Sequence, residues 1–251
     1  MSRPAVCRRC FCLLLAAVLL PAAARAQTLS ADLSSHLVAI TTGFTGASVV
    51  LFGATDGPAD VIAVVRGPER AVTVRRKSRI AGLWINTRDF TFAGVPSFYA
   101  VYSTRPLDAI APPRMQALHQ IGLDNLRFGG GEEARGDGER DAFRVALLDE
   151  QQRQGLYVGA PGRIDFLGDR LFRATFDFPA NVPTGTYIVE VFLVRDKSVV
   201  SGQTTPLLVS QTGVDADVGD FAQRQSLAYG ILAVAVAALA GWLASLPFRN
   251  A

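Results

Sequence analysis

Tyr187-Ile188-Val189-Glu190-Val191-Phe192-Leu193-Val194 decides the fold class of this chain. Successive side chains of a strand point to opposite faces, so Ile188, Glu190, Phe192 and Val194 share one face and Tyr187, Val189, Val191 and Leu193 the other. Apolar residues on both faces predict a strand that is covered on both sides. Just upstream, Leu171 to Phe178 alternates apolar with polar, as a half-buried strand does. Further shorter signals lie at Ser35 to Ile40, Ala47 to Phe52, Val61 to Arg66, Ala71 to Arg76, Gly82 to Ile85 and Ser97 to Tyr102, divided by Gly, Pro, Asp or Asn. Such short strands, repeating at about 10-residue spacing, predict a sandwich or barrel.

The middle of the chain departs from that pattern. Pro112-Pro113 ahead of Met115, Leu118 and Ile121 predicts a short helix that opens at a proline and closes at Gly122. A second helix is predicted from about Glu139 to Gln154, with Phe143, Leu147 and Leu148 on one face and Gly155 as its stop. Between them, Gly129 to Gly138 is Gly-rich and charged and reads as a solvated loop. The stretch from about 107 to 155 is thus expected to be a helical insertion. The segment Pro183-Thr184-Gly185-Thr186-Tyr187 is similar to the turn into a late strand of immunoglobulin-like bacterial domains. The expected fold is therefore mainly β: an immunoglobulin-like β-sandwich ectodomain with a helical insertion, plus one C-terminal transmembrane helix.

The two ends carry the localisation. Leu227 to Leu246 holds no charged side chain, and a bilayer core of roughly 30 Å needs about 20 apolar residues in a helix. Tyr229 and Trp242 lie near its two ends, with Arg224 and Arg249 just outside, the arrangement expected of a span. At the N-terminus, Arg3, Arg8 and Arg9, the apolar stretch Phe11 to Leu20 and the small-x-small triplet Ala24-Arg25-Ala26 read as an export signal over residues 1–26. The organisation expected is signal 1–26, periplasmic β-rich domain 27–222, transmembrane helix 227–246 and cytoplasmic tail 247–251. Such a protein sits in a bacterial inner membrane as a single-pass protein, with its soluble domain in the periplasm and its C-terminus in the cytoplasm.

Removing the signal changes the chemistry of what remains. Cys7, Cys10 and Cys12 all lie within it, so the exported chain has no disulfide, thiol nucleophile or thiolate metal site. Four of the 25 Lys+Arg precede Gln27, which leaves 21 against 22 Asp+Glu in place of the formal net charge of +3. That near-neutral balance gives no reason to expect a nucleic-acid partner.

Gly43-Phe44-Thr45-Gly46-Ala47-Ser48-Val49-Val50-Leu51-Phe52-Gly53, Val65-Arg66-Gly67-Pro68, Val74-Arg75-Arg76-Lys77, Gly82-Leu83-Trp84-Ile85-Asn86 and Val95-Pro96-Ser97-Phe98-Tyr99 together resemble an alphaproteobacterial family of predicted single-span transmembrane proteins. The resemblance covers nearly the whole chain, including the terminal apolar run. It implies an inner-membrane protein with a periplasmic domain, and it supplies no catalytic residue.

Catalytic signatures are lacking. The two histidines, His36 and His119, stand in no metal-binding spacing, although His36 lies close to Asp32 in sequence. There is no nucleophile elbow, P-loop or dinucleotide fingerprint. Glu132 and Glu133 are the nearest thing to an acid/base pair, in a loop with nothing to raise a pKa; Arg135-Gly136-Asp137 in the same loop carries no weight. No enzyme, cofactor or metal is expected. Two features rise above this background. Arg75, Lys77 and Arg79 share one face of a strand with Arg76 on the other, preceded by Arg66 and Arg70 and flanked by Trp84. Three cations on one face suit an oxyanion or an acidic partner surface, or equally a solvated, aggregation-resistant sheet face. Ala233, Ala237 and Gly241 form a small-residue row along the terminal apolar run, of a kind that lets helices approach closely. The leading functional reading is a membrane-anchored periplasmic binding or interaction module, accessory to a transporter. Its partners would be the lipid bilayer through residues 227–246 and another membrane or envelope protein. A structural envelope protein and an enzyme with a carboxylate/arginine site remain as alternatives.

Overall fold

The computed structural model describes residues 29–80, 82–130, 137–212 and 226–245. The predicted signal, Glu132, Glu133, Arg135 and Gly136, Arg224 and the tail lie outside the described residues. Among the described residues, twelve strands run in the order β1 (Leu29–Leu33), β2 (Leu37–Ile40), β3 (Gly46–Thr55), β4 (Asp60–Arg66), β5 (Glu69–Ile80), β6 (Leu83–Pro96) and β7 (Tyr99–Ser103), then β8 (Gly162–Arg163), β9 (Asp165–Leu167), β10 (Leu171–Pro179), β11 (Gly185–Arg195) and β12 (Ser198–Gln211). Helices α1 (Leu107–Ile110), α2 (Pro113–Leu118) and α3 (Asp137–Arg153) fall between β7 and β8, and α4 (Ser226–Ser245) follows β12.

The strands form a four-stranded sheet in the order β1-β3-β10-β9, a six-stranded sheet in the order β2-β12-β11-β4-β7-β8, and a separate β5–β6 hairpin. In β10 the alternation seen in the sequence is realised: Phe172, Ala174, Phe176 and Phe178 are buried and the residues between them are not. Those phenylalanines meet the inner face of the larger sheet, Phe176 against Tyr102 with ring centroids 4.6 Å apart and Phe178 against Phe98 at 5.2 Å. Gly53 faces Phe172 in register. A Cβ there would come within 2.4 Å of the Phe172 ring, so the close packing of β3 on β10 requires glycine.

β11 is buried along both faces at its C-terminal half. Val189, Val191 and Leu193 look inward with Val65, Ala63 and Val61 of β4, their partners in register. The other face, with Ile62, Val64, Phe192, Tyr99 and Val101, is also buried. Helices and loops of the 107–130 region cover it. The Tyr99 hydroxyl donates to the Gln120 carbonyl at 2.7 Å and accepts from the Gly122 N–H at 2.8 Å, and the His119 ring packs on Phe192 at 4.9 Å. α3 buries Phe143, Leu147 and Leu148 and ends before Gly155, whose φ of +70° lies in the left-handed region.

The expected fold is corrected in both of its finer parts. The chain is mainly β, but what forms is not shown to be an immunoglobulin-like sandwich. The larger sheet is mixed, with parallel pairs β12–β2 and β7–β8 at its two ends. Its second face is packed against helical and loop segments instead of solvent. The Pro-x-Gly-x-Tyr cue is local: the Tyr187 hydroxyl donates back to the Pro183 carbonyl at 2.7 Å, which fixes a turn and leaves the layering open. As to the transmembrane helix, no helix among the described residues is long and apolar enough to cross a membrane. α4, Ser226–Ser245, has 20 residues and does not meet that requirement.

Candidate functional site

The β5–β6 hairpin consists of a packed base and a free end. At the base, β5 carries Val72 and Val74 opposite Phe92 and Phe90 of β6. Phe90 stacks on Phe143 of α3 with centroids 5.6 Å apart, and Phe92 packs edge-on against Phe128 at 5.9 Å. The Arg76 guanidinium lies 5.2 Å from the Phe143 ring centroid, and Arg88 donates to both carboxylate oxygens of Glu139 at 2.8 Å. One face of the base is thus fixed to α3.

Beyond this point the register shifts between Arg76 and Lys77, leaving Thr87 as the extra residue of β6. The Thr87 hydroxyl bonds the Ser78 hydroxyl at 3.0 Å and donates to the Arg76 carbonyl at 3.3 Å, so the bulge is tied down. Past it, Lys77 faces Asn86, Ser78 faces Ile85 and Arg79 faces Trp84. By alternation Arg75, Lys77, Arg79 and Trp84 lie on one face, opposite Arg76. The structure therefore brings the four predicted site residues together. Arg75, Lys77 and Arg79 are exposed, and Trp84 is 70% and Ile85 45% exposed. Gly82, with φ +86°, supplies the left-handed residue of the turn.

Of the two flanking cations, Arg70 is exposed like the cluster and Arg66 is not. Arg66 is largely covered: it pairs with Glu190 and donates to the His119 carbonyl at 2.7 Å. Burial holds its pKa below the ordinary arginine value, and its role is to tie β4 to the insertion. His36 pairs with Asp32 at 2.9 Å on the surface. Among the described residues no group of three or more His, Cys, Asp or Glu is placed to hold a metal. Ala233, Ala237 and Gly241 are exposed on α4, and nothing lies within 4 Å of the position a Gly241 side chain would take.

A second feature was not legible in the sequence. An open cavity of about 1050 Å³ lies between the α1–α2 region, α3 and the loop before β8, with Arg105, Asp108, Asp124, Arg144, Asp149 and Arg163 in its lining. Its cations are already engaged. Arg105 donates from Nε to Asp60 at 2.8 Å, Arg163 pairs with Asp165 at 2.7 Å, and Arg144 donates to the carbonyls of Leu123, Asp124 and Leu126. The hydrogen bond from Arg105 holds the Asp60 carboxyl below the usual range. The same hydrogen bond raises Arg105, and outside the cavity lining burial raises Tyr99, Tyr102 and Tyr187 to about 12 and Tyr157 higher still.

Comparison with known proteins places the chain. It belongs to the family described as "Putative transmembrane protein (Alph_Pro_TM)", whose model matches residues 28–250. By that description it is a membrane protein. No curated protein matches the sequence.

Proposed function

We propose that this protein is a membrane-anchored binding module of the bacterial envelope, accessory to a transporter. Its β-rich domain lies in the periplasm, residues 227–246 hold it to the lipid of the inner membrane, and its C-terminus is on the cytoplasmic side. The β5–β6 hairpin is its working surface. The observation that carries this reading is the exposed face that Arg75, Lys77, Arg79 and Trp84 share, running from the base, locked to α3, out to the free end of the hairpin. Membership of a family described as transmembrane supports the location. So do the exposed apolar side chains of α4, among them Leu227, Ile231, Val234 and Leu239, which a lipid environment would cover.

Reporter fusions test the topology. A reporter active only outside the cytoplasm should work when fused after Thr212 and fail when fused after Ala251, and the inverse pattern overturns the reading.

A further inference from the structure

We infer that the free end of the β5–β6 hairpin seats in the headgroup layer of an anionic lipid bilayer. This rests on the membrane-held module proposed above and names the partner of its cationic face. The sequence of the free end is Lys77-Ser78-Arg79-Ile80-Ala81-Gly82-Leu83-Trp84-Ile85-Asn86, with two cations, four large apolar residues and no carboxylate. The nearest acid on this face, Asp89, stands opposite Arg75 toward the base. Arg75, Lys77 and Arg79 enter none of the ion pairs among the described residues.

Three kinds of surface can be weighed against that pattern. An acidic protein surface would use the cations and leave Trp84 and Ile85 without cover. An apolar groove would take Trp84 and Ile85 and leave the cations desolvated, which is costly. The boundary of an anionic bilayer satisfies both, because indole rings settle at headgroup level and basic side chains are drawn to the negative surface. Each cation held near such a surface strengthens binding about fivefold, so three together contribute on the order of 100-fold. That is a modest affinity for a free protein. For a domain already tethered to the bilayer it suffices, since the effective concentration of the surface is high. The fixed base, with Arg88 on Glu139 and Arg76 over Phe143, presents the end as a stiff finger.

The chain has two tryptophans, and each reports on a different part of the proposal. The full-length protein is reconstituted in vesicles of phosphatidylcholine alone or with phosphatidylglycerol, each containing brominated lipid as a quencher. In the Trp242→Phe variant, Trp84 is the sole tryptophan. Its emission should shift to the blue and be quenched in the anionic vesicles, and both effects should be lost at about 1 M salt, where the screening length falls to about 3 Å. The further change Arg75→Glu, Lys77→Glu and Arg79→Glu should weaken engagement on the order of 100-fold; should that variant fail to fold, the salt series still decides. Trp84 left unquenched in anionic vesicles overturns the inference, and so does equal quenching in vesicles of phosphatidylcholine alone. In the Trp84→Phe variant, Trp242 reports on the anchor. An unquenched Trp242 beside a quenched Trp84 sinks the anchoring through residues 227–246 and leaves the hairpin inference standing.

Discussion

Replacing Tyr99 by Phe tests how the insertion is held on the sheet. Tyr99 is fully buried on β7. Its main-chain bonds, N–H to the Leu156 carbonyl at 3.0 Å and carbonyl to the Val158 N–H at 2.9 Å, do not involve the hydroxyl, so the substitution isolates the hydroxyl's two bonds. The Gln120 carbonyl loses one donor but keeps Arg66 at 3.4 Å. The Gly122 N–H loses the bond at 2.8 Å, in a turn where Gln120 has φ +50° and Gly122 φ +92°. An orphaned donor of this kind costs about 1–3 kcal/mol. In a domain of this size each kcal/mol lowers Tm by roughly 2–4 °C, which gives a fall of about 2–12 °C for the variant by thermal unfolding. Hydrogen exchange provides the local measurement. The Gly122 amide should exchange faster in the variant, while amides of the β3–β10 pair should change only with global stability. A fall in Tm with Gly122 exchange unaltered would refute the reasoning, because the destabilisation would then lie elsewhere than in the pinned turn.

Two further outcomes follow from the packing and the charges. Phe192→Ala removes a ring that packs beneath His119 and should cost about 3–5 kcal/mol in chemical denaturation; a loss below about 1 kcal/mol would show that this face of β11 is not covered as described. Asp60, whose pKa is depressed chiefly by the hydrogen bond from Arg105, contributes stability that is present above its unfolded value near 3.9 and is lost as pH falls through the folded value. Asp60→Asn should therefore flatten the acid limb of the stability–pH curve below about pH 4 and leave its alkaline limb unchanged; a variant curve as steep as the original below that pH would assign the acid sensitivity to other carboxylates.

The strands whose pattern serves the core were the legible ones. Tyr187 to Val194 falls inside β11, and its doubly apolar pattern corresponds to a strand with β4 and β12 on its flanks and cover on both faces. The strict alternation of Leu171 to Phe178 gives the one-sided burial of β10. β12 was not anticipated, because Ser, Gly, Gln and Thr interrupt its apolar residues and Pro206 argues against a central strand. Pro206 pairs with Ile188 at a position ahead of Leu208–Gln211, where β2 joins the other side, so β12 has a single neighbour there and the missing N–H is tolerated. β1 carries the alternation of Leu29, Ala31 and Leu33, but five residues beside a predicted signal gave a weak pattern. Which faces the helices cover depends on pairs such as Tyr99 with Gln120 and Arg66 with Glu190, and no local periodicity encodes them. The cavity beside α3 was hidden for the same reason. The cationic cluster was legible because its four residues lie on two adjoining strands of one hairpin.

That hairpin also explains why a solvated, aggregation-resistant face is an insufficient account of Arg75, Lys77 and Arg79. β5 has 12 residues and β6 has 14, against a mean strand of about 5–6. The contacts with α3 and Phe128 are made from Val72 to Arg76 and from Arg88 to Phe92, so among the described residues the packing of the hairpin on the domain lies before the bulge. A strand extended past its packing needs protection at its edges, and Lys, Arg, Ser and Thr would provide it. Below the turn the chain has such residues in Lys77, Ser78, Arg79 and Thr87. At the end it has Trp84 and Ile85 in the open, the choice that edge protection works against, since exposed apolar patches promote association. Cations alone would fit a guard against aggregation. Cations below an exposed indole, on a finger whose base is fixed, fit a surface made to be covered.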